Sequence, residues 1–110
     1  LVPGAIPTRL DHFLCYKVHS SSRFAWRGVP LEDQFMEERA TVKKPRMLCN
    51  PVSKNGEGIQ SPREHLVCYV TRGHGRASRH GIVVRNRFGV TSMTAWKTRH
   101  LCVPSTTTVL

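Results

Sequence analysis

Short apolar stretches that alternate with polar positions recur along the chain, and none carries a convincing helical period. The stretch HFLCYKV at 12–18 is rich in aromatic and β-favouring residues and is ended by a serine run. The stretch GVPLEDQF at 28–35 places apolar and polar side chains on opposite parities, as a half-buried strand requires: Val29, Leu31 and Phe35 against Glu32 and Gln34. Both stretches are therefore predicted to be strands.

The pattern of apolar and polar residues occurs twice along the chain. An ungapped shift of 53 positions places 11–55 on 64–108 with 12 identities in 45 positions. The identities include all four cysteines and are His12/His65, Cys15/Cys68, Tyr16/Tyr69, Arg23/Arg76, Gly28/Gly81, Phe35/Phe88, Thr41/Thr94, Lys44/Lys97, Arg46/Arg99, Leu48/Leu101, Cys49/Cys102 and Pro51/Pro104. Internal repetition of this kind constrains the architecture before any local element is assigned.

Three strands in each copy give about six short strands. The third element is 40–51 in the first copy and 93–104 in the second, and Pro45 indicates an edge or a bulge there. MEERA at 36–40 could form a helical turn, but its counterpart GVTSM could not, so the repeat favours a strand. In the second copy Ile82, Val84 and Phe88 are expected to face inward, with Arg85 and Arg87 outward.

The predicted fold is an all-β small sandwich or barrel, built from two duplicated three-stranded units and stapled by two disulfides. Two such units, related by an approximate two-fold axis, could bury their faces against each other. We expect one domain, 1–110, with an extended N-terminal arm at 1–10, repeats at 11–55 and 64–108, and a linker at 56–63 that is rich in turn residues.

The cysteine spacings contain no C-x-x-C, which favours disulfides over a zinc knuckle. If the first and third strands of a unit run antiparallel, Cys15 lies beside Cys49, and Cys68 lies beside Cys102. This within-repeat pairing is our prediction. Two alternatives remain open at this stage: Cys15–Cys68 with Cys49–Cys102, and Cys15–Cys102 with Cys49–Cys68. Disulfides would place the protein in an oxidising, secreted or extracellular setting. The sequence has no apolar run of 18 residues or more, so no membrane-spanning helix is predicted.

The net charge of +10 is uneven, because the first repeat carries eight basic and five acidic residues, and the second carries seven basic and one acidic. Equivalent outward positions differ in charge: Glu32 corresponds to Arg85, and Gln34 to Arg87. The charge predicts an anionic polymer as partner, such as an acidic glycan or extracellular DNA. The candidate anion-binding residues are Arg72, Arg76, Arg79, Arg85 and Arg87.

The strings HFLCYKV, PRMLCNPVSKNGEGI, HLVCYV and LCVPS together resemble an uncharacterised family of bacterial extracellular domains. Its members look like accessory or C-terminal regions of secreted and surface-associated proteins. The resemblance implies secretion and a β-rich fold, and it brings no catalytic residues. The chain departs from the family pattern at 71–80 and at 96–98, where a second Lys-Lys-Pro would be expected.

Enzyme activity is not expected. Four of the seven carboxylates crowd into 32–38, Glu32 and Asp33 point to opposite faces of a strand, and no nucleophile motif occurs. No cofactor is predicted. His74, His80 and His100 could converge on a metal, which makes a small secreted metal-binding enzyme the alternative. The favoured function is a non-catalytic extracellular domain for adhesion, self-association into a homo-oligomer or larger assembly, or polyanion binding.

Overall fold

The computed structural model describes residues 9–21, 23–73 and 79–110, and these form seven strands in two sheets with no helix. This confirms the predicted all-β class. The strands are β1 (His12–Lys17), β2 (Trp26–Glu32), β3 (Glu37–Val52), β4 (His65–Gly73), β5 (Arg79–Asn86), β6 (Gly89–Ala95) and β7 (His100–Ser105). Most of the expected N-terminal arm, residues 1–8, lies outside the described residues.

Five strands form the larger sheet, in the order β1-β3-β4-β7, with β2 also paired to β3. Every pairing in it is antiparallel. β1 pairs with residues Met47 to Val52 of β3, and β2 pairs with residues Glu37 to Val42. The two short strands therefore lie end to end along one edge of β3. β4 occupies the other edge of β3. The remaining strands, β5 and β6, form a separate hairpin.

The two copies fold with the same registers. Cys15 lies opposite Cys49 in the β1–β3 pair, and Cys68 lies opposite Cys102 in the β4–β7 pair. Even a single loop contact is duplicated: Val18 N donates to Arg46 O, and Thr71 N donates to Arg99 O, both at 3.1 Å. The sequence repeat is therefore a structural repeat.

A bulge in the second strand of each copy is also duplicated. The β2–β3 register shifts between Trp26 and Val29, and the β5–β6 register shifts between Arg79 and Ile82. Gly28 and Gly81 occupy the two bulges, each with φ of 68°. An L residue with a Cβ is strained in this left-handed region, which explains why glycine stands at this position in both copies.

The turn after each bulged strand is closed by an Asx side chain. Asp33 Oδ1 accepts from Phe35 N at 2.8 Å, and Asn86 Oδ1 accepts from Phe88 N at 2.9 Å. The expectation that Phe88 faces inward is wrong, because its side chain is 86% exposed. β5 ends at Asn86, so Phe88 lies in the turn and no longer follows the strand parity; Ile82 and Val84 are half-buried as expected.

The third element is one strand in the first copy and two in the second. β3 continues across Pro45 with a register shift on either side of it, at the gap between the ends of β2 and β1. This confirms the predicted bulge, although β3 is a central strand. In the second copy the chain leaves the sheet at 96–99, between β6 and β7. β4 holds both halves of β3 in line, whereas the described residues place no strand on the outer edge of β7.

The disulfides are Cys15–Cys49 and Cys68–Cys102, as predicted, and each joins directly opposite residues of one copy. Both bridges lie on one face of the sheet. Met47 and Cys68 are directly opposite and face the same side, and Cys49, two residues after Met47, faces that side as well. The sulfurs of Cys49 and Cys68 are in van der Waals contact at 3.9 Å. Their side chains are 2% and 1% exposed and form much of a thin core, together with Ala40, Val42 and Pro51.

The copies meet through the β3–β4 pair, edge to edge, and not face to face as expected. β1 corresponds to β4 and β3 to β7, so a shift of two strands across the sheet relates the copies, in place of the expected two-fold rotation. The molecule measures 43 × 38 × 21 Å, and its radius of gyration of 15.9 Å exceeds the roughly 13 Å of a compact chain of about this length. It is a flat domain.

The duplicated glycine bulges predict a backbone effect that side-chain space does not explain. Nothing lies within 4 Å of a Cβ built on Gly28 or Gly81. Replacing either glycine with alanine should lower the free energy of unfolding by about 1–2 kcal/mol, since left-handed geometry costs an L residue that much. Gly28→Asn and Gly81→Asn are the matched controls, because asparagine tolerates this region better. Denaturant unfolding in which alanine and asparagine variants are equally unstable would contradict the explanation.

Candidate anion-binding site

An open groove lies at the end of the disulfide-bearing face and has a cavity volume of about 1020 Å³. Among the described residues that line it, five carry a Lys or Arg side chain and none is acidic. The basic residues are Lys17, Arg46, Arg72, Lys97 and Arg99. This set is called the basic groove below.

The strand registers place Lys17 and Arg72 on the disulfide-bearing face, and Arg46 and Arg99 each directly precede a residue of that face. Lys17 lies opposite Met47, and Val70 lies opposite His100, on the same parity as the disulfides. Cys15, Met47, Val70 and His100 line the groove between the basic side chains. The segment 96–99 leaves the sheet beside them and brings Lys97 and Arg99 to the groove. The break between β6 and β7 thus helps to form the site.

A second cleft, of about 540 Å³, continues from the basic groove and shares Arg46, Val70 and Arg72 with it. It adds three basic residues, Arg23, Lys43 and Lys44, and no acidic residue of the described ranges lines it. Eight Lys and Arg side chains therefore line two adjoining clefts. Such a uniform sign of charge raises the local concentration of anions.

The sequence contained a signal for this surface that the charge comparison did not use. Lys44/Lys97 and Arg46/Arg99 are basic in both copies and line the two clefts. The predicted anion-binding set instead emphasised positions where the copies differ in charge, such as Glu32/Arg85. Basic residues kept in both copies pointed to the surface that the fold assembles.

The five predicted anion-binding arginines do not form a single cluster. Arg72 lines both clefts. Arg79 lies over the Phe35 ring, 6.0 Å from its centroid. Arg85 and Arg87 are exposed on the β5–β6 hairpin. Arg76 lies outside the described residues.

Arg87 forms an ion pair with Glu57 in the connection between β3 and β4. Glu57 also lies 3.9 Å from Lys54 Nζ and from His12 Nε2, so one carboxylate serves three basic groups. Lys54 Nζ lies 5.7 Å from the centroid of the Phe88 ring. Together with the contact of Arg79 and Phe35, these interactions attach the hairpin at the turn before β3 and at the loop after it.

One wall of the basic groove is fixed by a partly buried hydrogen bond. Thr98 Oγ1 donates to Glu38 Oε1 at 2.8 Å and ties the 96–99 segment to β3. Glu38 Oε2 is buried with no hydrogen-bond partner among the described residues. The carboxylate lies so close to Gly73 that a Cβ there would overlap it. Glu38 therefore depends on Thr98 for its one described hydrogen bond.

The histidines proposed for a metal are spread out where the structure describes them. His100 lines the basic groove, and exposed His80 has Nδ1 3.2 Å from Thr94 Oγ1. His74 lies outside the described residues. Within the described ranges no group of three or more His, Cys, Asp or Glu side chains is placed to hold a metal ion.

The chain belongs to a family described as a repeat of unknown function, DUF7450, which matches residues 2–104. The match spans both internal copies, so the unit that the family calls a repeat is itself duplicated. No curated protein and no solved structure matches the chain significantly.

The contact between Thr98 and Glu38 predicts a stability difference between two threonines. Thr98→Val should lower the free energy of unfolding by about 1–3 kcal/mol, because the part-buried carboxylate loses its donor. Thr91→Val is the matched control, since Thr91 is exposed in β6, and it should change stability by about 0.5 kcal/mol or less. Denaturant unfolding with intact disulfides measures both. Equal losses in the two variants would contradict the anchoring role of Thr98.

Proposed function

We propose that the protein is a non-catalytic extracellular β-domain that binds anionic polymers through the basic groove and the adjoining cleft. The observation that carries the proposal is the set of eight Lys and Arg side chains along the two clefts, where the described residues include no acidic side chain. The ligand class is a polymer with repeated phosphate, sulfate or carboxylate groups, such as an acidic glycan or extracellular DNA.

The side-chain chemistry supports recognition of backbone charge. Arginine presents a planar fork of donors that matches phosphate, sulfate and carboxylate, and lysine contributes a point charge. The groove is open, so a chain can lie along it. Base stacking has little support, because Phe24 is the one Phe, Tyr or Trp among the described lining residues, and its ring is packed against Tyr69 with ring centroids 5.7 Å apart. Binding without base specificity follows.

An extracellular setting is supported by the chemistry of the chain. Four cysteines form two bridges, and disulfides persist in oxidising compartments. The motifs around these cysteines resemble bacterial secreted and surface-associated domains, which supports a similar accessory role. Within the described residues, no helix has the length and apolar character to cross a membrane.

Self-association is a second candidate function, and it is favoured by the edges of the larger sheet. β1 pairs on one edge with β3, and β7 pairs on one edge with β4. The described residues place no strand on their other edges. Such edges offer unpaired backbone groups to another strand.

The binding proposal is tested by two double variants with the same change in net charge. Arg46→Glu with Arg99→Glu should weaken retention on heparin and on DNA about tenfold or more and reduce its salt dependence, because two phosphate or sulfate contacts become repulsive. Arg85→Glu with Arg87→Glu is the matched control and should have a much smaller effect. All four side chains are exposed. Because Arg87→Glu also places a carboxylate beside Glu57, circular dichroism and thermal unfolding of both variants must first show that each is folded.

The comparison separates the groove from net charge. Equal losses in the two double variants would mean that retention follows the overall +10 and not a site. A loss confined to the Arg85 and Arg87 variant would place the site on the hairpin. Unchanged retention in both would reject polyanion binding through either surface.

A further inference from the structure

We propose that the outer edge of β7 binds β1 of a second copy of this chain, so that the sheet continues across molecules in the same strand order. The inference rests on the second proposed function, self-association, and specifies the two strands, their direction and their register. The partner is chemically the same repeat, and the contact is head to tail.

The template for this contact is inside the molecule. β3 and β4 pair antiparallel, and they are the third element of one copy and the first element of the next. β7 corresponds to the C-terminal part of β3, and β1 corresponds to the N-terminal part of β4. The edges that meet in the β3–β4 seam are therefore repeated on the outside of the sheet, one at each border.

The seam also supplies the register. Within the molecule, Met47 lies opposite Cys68, Leu48 opposite Val67, and Cys49 opposite Leu66. Replacing each residue by its equivalent in the other copy gives the intermolecular pairs. They are His100 opposite Cys15, Leu101 opposite Leu14, and Cys102 opposite Phe13 of the second copy.

The backbone groups needed for these pairs point outward. In an antiparallel pair, the opposite residues that do not exchange backbone hydrogen bonds have the shorter Cα–Cα distance. The two cysteines of each disulfide are opposite residues with Cα atoms 3.9 Å apart, so they form pairs of this kind. The N–H and C=O groups of Cys15 and Cys102 therefore point away from β3 and β4. Alternation extends this direction to Phe13 and His100. These four residues are the ones that the proposed register joins by hydrogen bonds.

Residues on the two outer strands, β1 and β7, are more exposed than their counterparts in the β3–β4 seam, as expected if a further strand can pair at each outer edge. Cys49 and Cys68 are buried against each other in the seam, whereas Cys15 and Cys102, their counterparts, are exposed. The proposed pairing places Cys102 of one molecule beside Cys15 of the next. Phe13 and Leu14 are 38% and 49% exposed, while their counterparts Leu66 and Val67, which lie beside β3, are half-buried.

A proline limits the length of the new ladder. Pro104 follows the parity of Cys102, so its nitrogen faces the outer edge and has no hydrogen to donate. The counterpart of Pro104 is Pro51, and the β3–β4 ladder ends at Cys49, two residues before Pro51. The intermolecular ladder is therefore as short at this end as the internal one, and the contact is correspondingly weak and reversible.

The geometry of the contact sets the form of the assembly. β7 and β1 are different surfaces, so each added molecule leaves a new β7 edge free, and growth has no fixed number of copies. The net charge of +10 opposes close approach. Screening should therefore strengthen association as salt rises from 0.05 to 0.5 M, the opposite of the dependence expected for polyanion binding.

The test compares the unchanged chain with Phe13→Pro and Phe13→Ala by sedimentation velocity over a range of concentrations, without polyanion. Proline removes the outward N–H of residue 13 and leaves the β1–β3 hydrogen bonds in place. Alanine removes the same ring and keeps the N–H. We expect open-ended, concentration-dependent association of the unchanged and Phe13→Ala chains, and an association constant lower by about tenfold or more for Phe13→Pro.

Residue-level hydrogen exchange on the unchanged chain tests the register without any variant. The amides of Phe13, Cys15, His100 and Cys102 should exchange fast in dilute solution and slowly in the assembly. A strict monomer at all concentrations and salts would overturn both self-association and this inference. Association with protection at other amides, or association that persists in folded Phe13→Pro, would keep self-association and overturn the β7–β1 contact.

Discussion

The structure depends on the seam between β3 and β4, where the two disulfides touch. The sheet has few fully buried side chains, and two of them are the cysteines that meet there at a sulfur–sulfur distance of 3.9 Å. Each bridge joins residues 34 positions apart, and a closed loop of that length stabilises the fold by about 3–4 kcal/mol on the chain-entropy model. Because the apolar core of this flat molecule is thin, the covalent links supply what burial alone would not.

The number of neighbours of each strand explains why two similar sequences fold differently. β3 has strands on both edges and remains continuous across Pro45. Its counterpart pairs on one side with β5 and β4, the described residues place no strand on its other side, and it breaks at 96–99 into β6 and β7. The break releases the β5–β6 hairpin from the larger sheet and carries Lys97 and Arg99 to the basic groove. The candidate site thus arises where the repeat is least regular.

Local patterns in the sequence predicted the local structure well. Alternation identified the half-buried strand positions at Val29 and Leu31, and the repeat correctly overruled the helical turn at 36–40. Antiparallel geometry gave the cysteine pairs. These predictions succeed because strand parity and short antiparallel pairings depend on neighbours in the chain.

The arrangement of the copies, in contrast, was beyond the sequence. Nothing in the pattern distinguishes a two-fold pair from a shift of two strands, because both leave each unit internally unchanged. Phe88 was misassigned because parity ends where a strand ends, and Asn86 begins the turn. The basic groove was missed for a related reason, since it joins Lys17 and Arg46 of one copy with Arg72 and Arg99 of the other through long-range pairing.

The placement of the bridges also determines how the chain responds to a pulling force. Tension applied at the two ends passes through the sulfur–sulfur bonds and bypasses the residues between Cys15 and Cys49 and between Cys68 and Cys102. A fully unravelled chain with intact bridges is therefore shorter by roughly 110 Å for each bypassed segment, at about 3.3 Å per residue. β3 and the hairpin of β5 and β6 lie almost wholly within those segments and bear no load once the seam has parted. The chain thus reaches its maximum extension at a shorter length, and the two disulfides keep about two thirds of the residues free of tension.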